Sequence, residues 1–179
     1  MRRSFCTILH IHNVYERWCG VTSHRGYFGI GVYHPKKEQN IGTLMRSAYC
    51  FGADFAFTLG RRYDRQASDT PDAARHLPLY HYADIDDLVK HLPQGCPLIG
   101  VELADDATPL NRFDHPERAC YLLGAEDYGL SSAVLSRCAD VLVIPHASPC
   151  LNVAVAGSLV LYDRSVKRAR QGRLAAVKV

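Results

Sequence analysis

The chain has 179 residues, of which 47% are hydrophobic and 22% charged, with a formal net charge of +3. Its length suits one domain with its own buried core, and its composition lacks the signatures of disordered, collagen-like or coiled-coil proteins. The longest strongly apolar run, Leu151 to Tyr162, is too short to span a bilayer. The small positive charge permits a nucleic-acid partner without requiring one.

Residues 1–25 lack clean periodicity and carry no signal-peptide pattern, so we interpret them as an extension before the domain. They contain Cys6, His10, His12 and Cys19, whose spacing matches no common zinc site, and we expect no metal. The chain has seven cysteines without a close C-x-x-C pair. This odd, unpaired set indicates reduced thiols and a cytoplasmic location.

The domain is predicted to begin with a buried strand in Gly26 to His34. A helix follows, with Asn40 as its N-cap and a stop near Gly52. Asp54 to Leu59 then forms a second strand. This β-α-β order indicates a parallel sheet with a right-handed crossover.

The next predicted elements are short, and they end in a surface link. They are a strand at Leu79 to Tyr82, a helix at Ile85 to Leu92, a strand at Pro97 to Leu103 and a link over 105–118. The interleaving of about six strands with helices indicates an α/β fold. We expect one domain over 26–168 and a basic tail over 169–179.

The stretch from Tyr121 to Asp163 contains two successive strand-loop-helix passages. The first has a strand at Tyr121 to Leu123, an acidic loop flanked by glycines, and a short helix. The second has a strand ending at Ile144 and Pro145, a loop, and a long apolar helix. Ligands of open α/β sheets bind at the carboxyl ends of strands, so both loops are expected to face one site.

Two groups of basic residues are candidates for phosphate contact. Arg61, Arg62 and Arg65 follow the second strand, at the end where ligand loops lie. No acidic residue follows Asp163, whereas six basic residues do. Three of these are Arg164, Lys167 and Arg168. A solvated helix end and surface loop explain the same residues equally well, so both interpretations stay open.

Common nucleotide-binding and hydrolase motifs are absent from the sequence. Gly29-Ile30-Gly31 lies inside the first strand and no third glycine opens the helix, so a dinucleotide-binding oxidoreductase is disfavoured. Neither a P-loop nor a G-x-S-x-G elbow occurs.

Three separated motifs carry a family resemblance. Asn40 to Arg46 has the form N-x-G-x-x-x-R, Leu123 to Ser131 contains G-x-E-x-x-G-L-S, and Ile144 to Ala156 contains I-P followed by L-N-V. In this order and spacing they resemble the SpoU/TrmH group of the SPOUT superfamily, which are RNA ribose 2′-O-methyltransferases dependent on S-adenosylmethionine. The resemblance runs from about Gly26 to Arg168.

This resemblance implies a parallel-sheet α/β fold with a deep trefoil knot at its C-terminal end. It implies S-adenosylmethionine as cofactor and RNA as substrate, and the lack of an appended RNA-recognition domain favours tRNA over rRNA. It also implies a homodimer with the first and last helices at the interface. The apolar face of the last helix is compatible with that interface; it comprises Leu151, Val155, Leu159 and Tyr162.

The resemblance also assigns residues to the site. The cofactor positions are Val101, Gly124, Ile144, Cys150 and Leu151, and the catalytic positions are Asn40, Arg46, Glu126 and Asn152. A guanidinium does not lose its proton at neutral pH. We therefore expect Arg46 to hold a phosphate and stabilise the developing alkoxide, and Glu126 either to pair with Arg46 or to accept a hydrogen bond from Asn40.

One position departs from the family pattern. Cys150 stands where most relatives have serine, and the preceding loop is short, with only 146–149 after Pro145. A thiol hydrogen-bonds weakly, so this departure favours, as an alternative, an RNA-binding or assembly protein with altered catalysis. Methylation of a base instead of ribose is disfavoured, because N-x-G-x-x-x-R is typical of the ribose group.

Overall fold

The computed structural model describes residues 26–63, 75–146 and 151–170. The strands are β1 (Phe28–Tyr33), β2 (Phe55–Leu59), β3 (Leu79–Tyr82), β4 (Leu98–Val101), β5 (Thr108–Pro109), β6 (Ala119–Leu123) and β7 (Asp140–Val143). The α-helices with described bounds are α1 (Glu38–Cys50), α2 (Ile85–His91), α3 (Ser132–Leu135) and α4 (Val153–Arg170).

The strands form one parallel sheet in the order β3-β2-β1-β6-β4-β7-β5. The predicted parallel α/β class is therefore confirmed. The carboxyl ends of β1, β6, β4 and β7 lie side by side at one edge, because all four strands run in the same direction. The loops predicted to share a site leave from this edge.

Both faces of the sheet are covered by helices, and each face has its own core. Ile30, Ile99 and Tyr121 point to the side of α1 and α4, where they pack against residues such as Leu44 and Val160. Alternate residues of the same strands pack on the other side against α2 and α3. This alternation is what a parallel strand buried on both faces requires.

The glycines of β1 have a packing role. A Cβ atom at Gly29 would overlap the ring of Phe55, and one at Gly31 would overlap Phe57. Both rings belong to β2, which pairs directly with β1. The two glycines thus leave room for aromatic side chains across the strand pair. This packing role agrees with the prediction that they do not form a dinucleotide-binding loop.

The start of α1 differs from the prediction. The helix begins at Glu38 after an N-cap at Lys37 that makes no side-chain capping bond. The prediction of Asn40 as N-cap is therefore wrong. The side chain of Asn40 instead makes contacts outside the helix, described below. Gly52, with φ of 73°, follows the helix end as expected.

The segment 105–118 is also more than the predicted surface link. It contains β5 and a short 3-10 helix at Leu110–Arg112, and it buries Leu110, Phe113 and His115. A two-residue strand is too short to give a periodic signal, which is why the sequence pattern missed it.

Several predictions fall on 1–25, 64–74, 147–150 and 171–179, outside the described residues. The N-terminal extension and all but the start of the basic tail are among them; α4 itself continues to Arg170. The path of the predicted trefoil knot depends on 147–150, so the knot stays a prediction. Across the ranges that the structure describes, no helix has the length and apolarity to cross a membrane.

Candidate active site

The carboxyl ends of β4, β6 and β7 enclose a cavity of about 250 Å³. Its walls come from the strand ends, from the turn after β6 and from the start of α4. Four residues that were predicted to bind cofactor line this cavity: Val101, Gly124, Ile144 and Leu151. Cys150, the fifth, lies outside the described residues.

A tight turn closes one side of this cavity. Ala125 and Gly129 pair with each other through hydrogen bonds of 3.1 and 2.9 Å between their backbone groups. Gly129 has φ of 65°, a conformation that residues with a Cβ adopt rarely. The turn therefore presents three consecutive side chains, those of Glu126, Asp127 and Tyr128.

Each of these three side chains contacts the end of β1 or the chain that leads from it through the first turn of α1. Glu126 accepts a hydrogen bond of 2.5 Å from the side-chain amide of Asn40. Asp127 pairs with Lys36 at 2.7 Å. The ring of Tyr128 lies against Tyr33, with 6.2 Å between ring centroids. The turn is thus fastened to the segment 33–40 by an amide hydrogen bond, an ion pair and a ring contact.

Asn152 connects this network to the last helix. Its amide donates to Oδ1 of Asn40 at 3.0 Å. Its own Oδ1 accepts from the backbone N–H groups of Ala154 at 3.0 Å and Val155 at 3.3 Å, which caps α4. A continuous hydrogen-bonded chain therefore runs from the start of α4 through Asn152 and Asn40 to Glu126.

Arg46 occupies a different part of α1 from Asn40. Six residues at 3.6 per turn place the two side chains about 120° apart around the helix. Arg46 is exposed, and Glu126 bonds to Asn40, which is the second of the two arrangements left open by the sequence. The structure brings Asn40, Glu126 and Asn152 together, and presents Arg46 to solvent on another side of the helix.

Glu102 is a site residue that the sequence interpretation missed. Its carboxylate accepts from the backbone N–H of Leu103 at 2.9 Å and of Leu130 at 2.6 Å. A Cβ atom at Gly124 or Gly129 would overlap this carboxylate. Glu102 therefore fastens β4 to the turn after β6 inside the cavity. Its position directly after a buried strand was the one available signal.

The first group of basic residues lies where the sequence placed it. Arg61 and Arg62 follow β2 at the edge of the sheet that carries the site, and both are exposed. Arg65 lies outside the described residues.

The second group of basic residues requires a correction. Arg164 is 5% exposed and donates to the carbonyl oxygens of Pro116 and Glu117 at 2.6 and 2.7 Å. Lys167 bonds Asp163 and the carbonyl of Phe113, and Arg168 is 4% exposed. Arg164 and Lys167 are thus bonded to the 105–118 segment and Arg168 is buried, so their predicted contact with RNA phosphates is replaced by a role inside the protein.

Burial also sets the protonation of nearby groups. His115 is 1% exposed, and this desolvation lowers its pKa to about 4 although Asp163 lies 2.9 Å from Nε2. Desolvation likewise raises the pKa of Tyr121 to about 12 and of Cys138 to about 11. These groups lie away from the cavity. In the described part of the chain no cluster of side chains could hold a metal ion.

A parallel sheet with a cavity at a strand-end edge defines an α/β protein of the ligand-binding, doubly wound class. The sequence model of the SpoU rRNA Methylase family matches residues 28–162. The chain therefore belongs to the SpoU methylase family.

Three relatives illustrate the family. The tRNA (guanosine(18)-2′-O)-methyltransferase of Escherichia coli K12 is 27% identical over 141 residues, which cover 76% of this chain and 62% of the relative. The structure of the TrmH/SpoU tRNA modifying enzyme of A. aeolicus superposes with a TM-score of 0.76 at 17% identity, covering 95% of this chain and 90% of that one.

The third relative is the SpoU methyltransferase AviRb of Streptomyces viridochromogenes, in complex with the cofactor AdoMet. Its structure has a TM-score of 0.68 at 24% identity, and the match covers 83% of this chain and 60% of AviRb. At these identities the structural matches establish the fold. The chain spans less than two thirds of the length of the E. coli relative, 62%.

Proposed function

We propose that this protein transfers a methyl group from S-adenosylmethionine to a ribose 2′-hydroxyl of RNA, with tRNA as the favoured substrate. The observation that carries the proposal is the hydrogen-bonded chain of Asn152, Asn40 and Glu126 beside the strand-end cavity. All three residues come from the motifs that typify the ribose methyltransferases. Further support comes from the E. coli relative, whose name specifies 2′-O-methylation of tRNA.

The cavity has the chemical character that the cofactor needs. Leu123, Val143 and Leu151 give it an apolar wall that suits an adenine ring. Gly124 and Gly129 leave room for the carboxylate of Glu102 beside the backbone, and the 2.6 Å bond from Leu130 to Glu102 fixes the loop. The cofactor supplies, when bound, a methyl group on a sulfonium that passes to the ribose oxygen as the S–C bond breaks.

The remaining task of the protein is to place the ribose and to remove its proton. Placement alone supplies a large part of the rate enhancement of such a transfer. A guanidinium does not serve as a base at neutral pH, so we assign Arg46 to a phosphate and to the developing charge on the 2′-oxygen. The proton then leaves to water or to a phosphate oxygen. Asn40 and Asn152 hold the entries of α1 and α4 against the turn that carries Glu126.

We further infer a homodimer formed through α1 and α4. Val155, Leu159 and Tyr162 lie on one stripe of α4, opposite its buried face, and are 39 to 58% exposed. Tyr49 of α1 is also exposed. An apolar stripe of this kind on a helix is typical of an interface. Sedimentation of wild type and of Leu159→Glu tests it: wild type should sediment as a dimer and the variant as a monomer.

The proposed reaction is tested with labelled S-adenosylmethionine and total RNA. Label should enter RNA, and periodate chemistry should locate it on ribose. Arg46→Ala should abolish transfer while calorimetry still detects cofactor binding. Near-normal turnover by Arg46→Ala would contradict the assignment. RNA binding without any transfer by wild type would favour instead an RNA-binding or assembly protein with the same fold.

The cellular substrate is tested by mapping 2′-O-methylation in RNA from cells with and without the protein. We expect one or a few tRNA positions to lose methylation. If methylation is lost only from ribosomal RNA, the proposed reaction stands and ribosomal RNA replaces tRNA as the substrate. A cytoplasmic location, where these RNAs are modified, is part of the same proposal.

A further inference from the structure

Three aromatic rings at the turn after β6 and the end of β1 have no part in the hydrogen-bonded chain, and one of them, that of Tyr128, lines the cavity. We call Tyr33, His34 and Tyr128 the aromatic patch. Tyr33 ends β1 and His34 follows it, and Tyr128 is the last side chain of the turn after β6. Tyr128 is 62% exposed, more than any other large hydrophobic residue in the described ranges. Its ring is held in place and yet largely open to solvent.

The patch is ordered by contacts on its inner side. Tyr33 meets Tyr128 edge-on, with an interplanar angle of 87°, and meets His34 edge-on, with centroids 4.5 Å apart. The rings of His34 and Tyr128 lie 6.5 Å apart. Edge-to-face pairs of this geometry are favourable and fix ring orientation. The ring of Tyr128 is therefore oriented by the protein itself, before any ligand binds.

The backbone at His34 is strained in support of this arrangement. His34 has φ of 43°, and is the one residue other than glycine with positive φ in the described ranges. A Cβ atom at Gly60 would overlap its imidazole, so the ring rests on the bare backbone that follows β2. Strained residues of this kind persist where surrounding structure enforces them, and they concentrate at ligand sites.

The surroundings of the patch are positive. Asp127, the acid next to Tyr128 in the chain, is neutralised by Lys36 at 2.7 Å. Lys37 lies 3.9 Å from Glu126 and is 70% exposed in its side chain. Arg61 and Arg62 follow Gly60, on which His34 rests, and both are exposed. An exposed aromatic ring among cations is the combination that binds single-stranded nucleic acid, through base stacking and phosphate contacts.

We propose that Tyr128 stacks on a nucleobase of the RNA substrate, at or next to the nucleotide whose ribose is methylated. This inference rests on the proposed function and adds a positioning residue to it. Tyr128 is two residues from Glu126, so a base stacked on its ring lies beside the hydrogen-bonded chain. Tyr33 and His34 orient the ring. Lys37 follows His34 by three residues, and Arg61 and Arg62 follow Gly60, which packs against His34, so these cations are placed to serve the flanking phosphates.

The first test measures RNA and cofactor binding separately. Tyr128→Ala should weaken binding of total tRNA, followed by fluorescence anisotropy, by about 5- to 100-fold, because stacking on one base has that worth. Tyr128→Phe keeps the ring and should bind like wild type. Tyr80→Ala removes another exposed tyrosine, on the distal strand β3, and should also bind like wild type. Calorimetric affinity for S-adenosylmethionine should not change in any of the three.

The second test asks whether the partner of the ring is a base. After methylation mapping, tRNA transcripts are made with an abasic residue at the methylated nucleotide or at either neighbour. The penalty of Tyr128→Ala should vanish at one of these positions and persist at the other two. A penalty that survives at all three positions would overturn base stacking.

Other outcomes are equally decisive. Unchanged tRNA binding by Tyr128→Ala would overturn the proposal, and a loss of cofactor affinity would assign the ring to the cofactor. Weak binding by Tyr128→Phe would assign the contact to the hydroxyl. The two proposals fail separately: if wild type binds tRNA without methylating it, the proposed reaction fails, while the anisotropy comparison still decides the role of Tyr128.

Discussion

Asn40 and Glu126, 86 residues apart in the chain, are joined by a side-chain hydrogen bond of 2.5 Å. The bond connects the first turn of α1 to the turn after β6, two elements that the sheet brings together through the pairing of β1 with β6. Asn152 extends it to α4. Three motifs that are separate in sequence thus form one polar unit.

This unit predicts non-additive mutational effects. Asn40→Ala removes both the donor to Glu126 and the acceptor of Asn152, and should lower kcat/KM for methyl transfer by about 10- to 100-fold, the worth of a hydrogen bond to a charged group. Glu126→Ala should have a similar effect, because it removes the acceptor of the Asn40 amide. The double variant should be no worse than the poorer single variant, because both act on one unit.

The control for this cycle is Gln39→Ala, an exposed neighbour on the same helix turn, which should behave as wild type. Additive losses in the double variant would mean that the two residues act independently. The cycle therefore tests the functional coupling and not only the importance of each residue.

Glu102 is expected to control cofactor affinity through the loop that it holds. Its carboxylate accepts two backbone N–H groups, from Leu103 and Leu130. Glu102→Gln keeps the size but has one acceptor oxygen, so one N–H loses its partner and the loop loosens. Affinity for S-adenosylmethionine, measured by calorimetry, should fall about tenfold.

Asp106→Asn supplies the comparison for Glu102, because it removes an exposed carboxylate from the loop after the same strand. It should bind cofactor normally. Equal affinities for Glu102→Gln and wild type would show that the loop holds its shape without this carboxylate.

The two groups of basic residues should respond differently to mutation. Paired Arg61→Ala and Arg62→Ala changes remove exposed cations at the site edge, and should reduce the salt dependence of tRNA binding by about one unit of slope for each phosphate that is no longer neutralised. Arg164→Met should leave that slope unchanged. It should instead lower the free energy of unfolding by about 3 kcal/mol, because buried carbonyl groups lose a charged donor.

The Arg164 result is checked by urea denaturation of wild type and of Arg164→Met. The substitution also takes the guanidinium away from the ring of Phe28, whose centroid lies 4.4 Å from it. A stable Arg164→Met protein with weakened, less salt-dependent RNA binding would restore the original prediction for this residue.

These cases show where sequence patterns suffice and where they fail. Apolar periodicity predicted β1, α1 and α4 because each of these elements buries regular positions against the sheet. The motifs predicted residues that come together, Asn40, Glu126 and Asn152, but they also included Arg46, which lies on another side of α1. The fate of Arg164 and Lys167 could not be predicted, because their acceptors are carbonyls of a segment some 50 residues earlier that only the fold brings near. A run of cations looks the same in sequence whether it faces solvent or buried backbone.

The N-cap prediction for Asn40 was wrong, and Glu102 was missed, for a related reason. A polar residue near a helix start is a good N-cap on local grounds, but tertiary contact with Glu126 uses the Asn40 side chain instead. Glu102 gains its partners from β-strand register and from glycines more than twenty residues away. Partners that are this far apart in the chain leave no short-range pattern in the sequence.

The buried network around His115 predicts how stability depends on pH. Nδ1 of His115 lies 2.6 Å from the hydroxyl of Tyr121, which Arg164 also contacts at 3.2 Å, and Nε2 lies 2.9 Å from Asp163. A neutral ring satisfies this arrangement, accepting from Tyr121 and donating to Asp163. A second proton on the ring would place an N–H at Nδ1, opposite the Tyr121 hydroxyl that donates to it. This agrees with the pKa of about 4 that burial gives His115.

The sign of the effect follows from this lowered pKa. In the unfolded chain histidine has a pKa of about 6.5, so below that pH the unfolded state binds a proton that the folded state refuses. The contribution of neutral His115 to the free energy of unfolding is therefore fully present above about pH 6.5. It falls as pH drops toward 4, and the loss is about 1.4 kcal/mol at pH 5.5. Urea unfolding between pH 7.5 and 5.5 should show this loss. His115→Gln should flatten it at some cost in stability at neutral pH, whereas His91→Gln, an exposed control, should retain it. A wild-type protein whose stability is constant across this interval would mean that His115 takes up its proton at the same pH in the folded and unfolded states, with Asp163 offsetting the effect of burial.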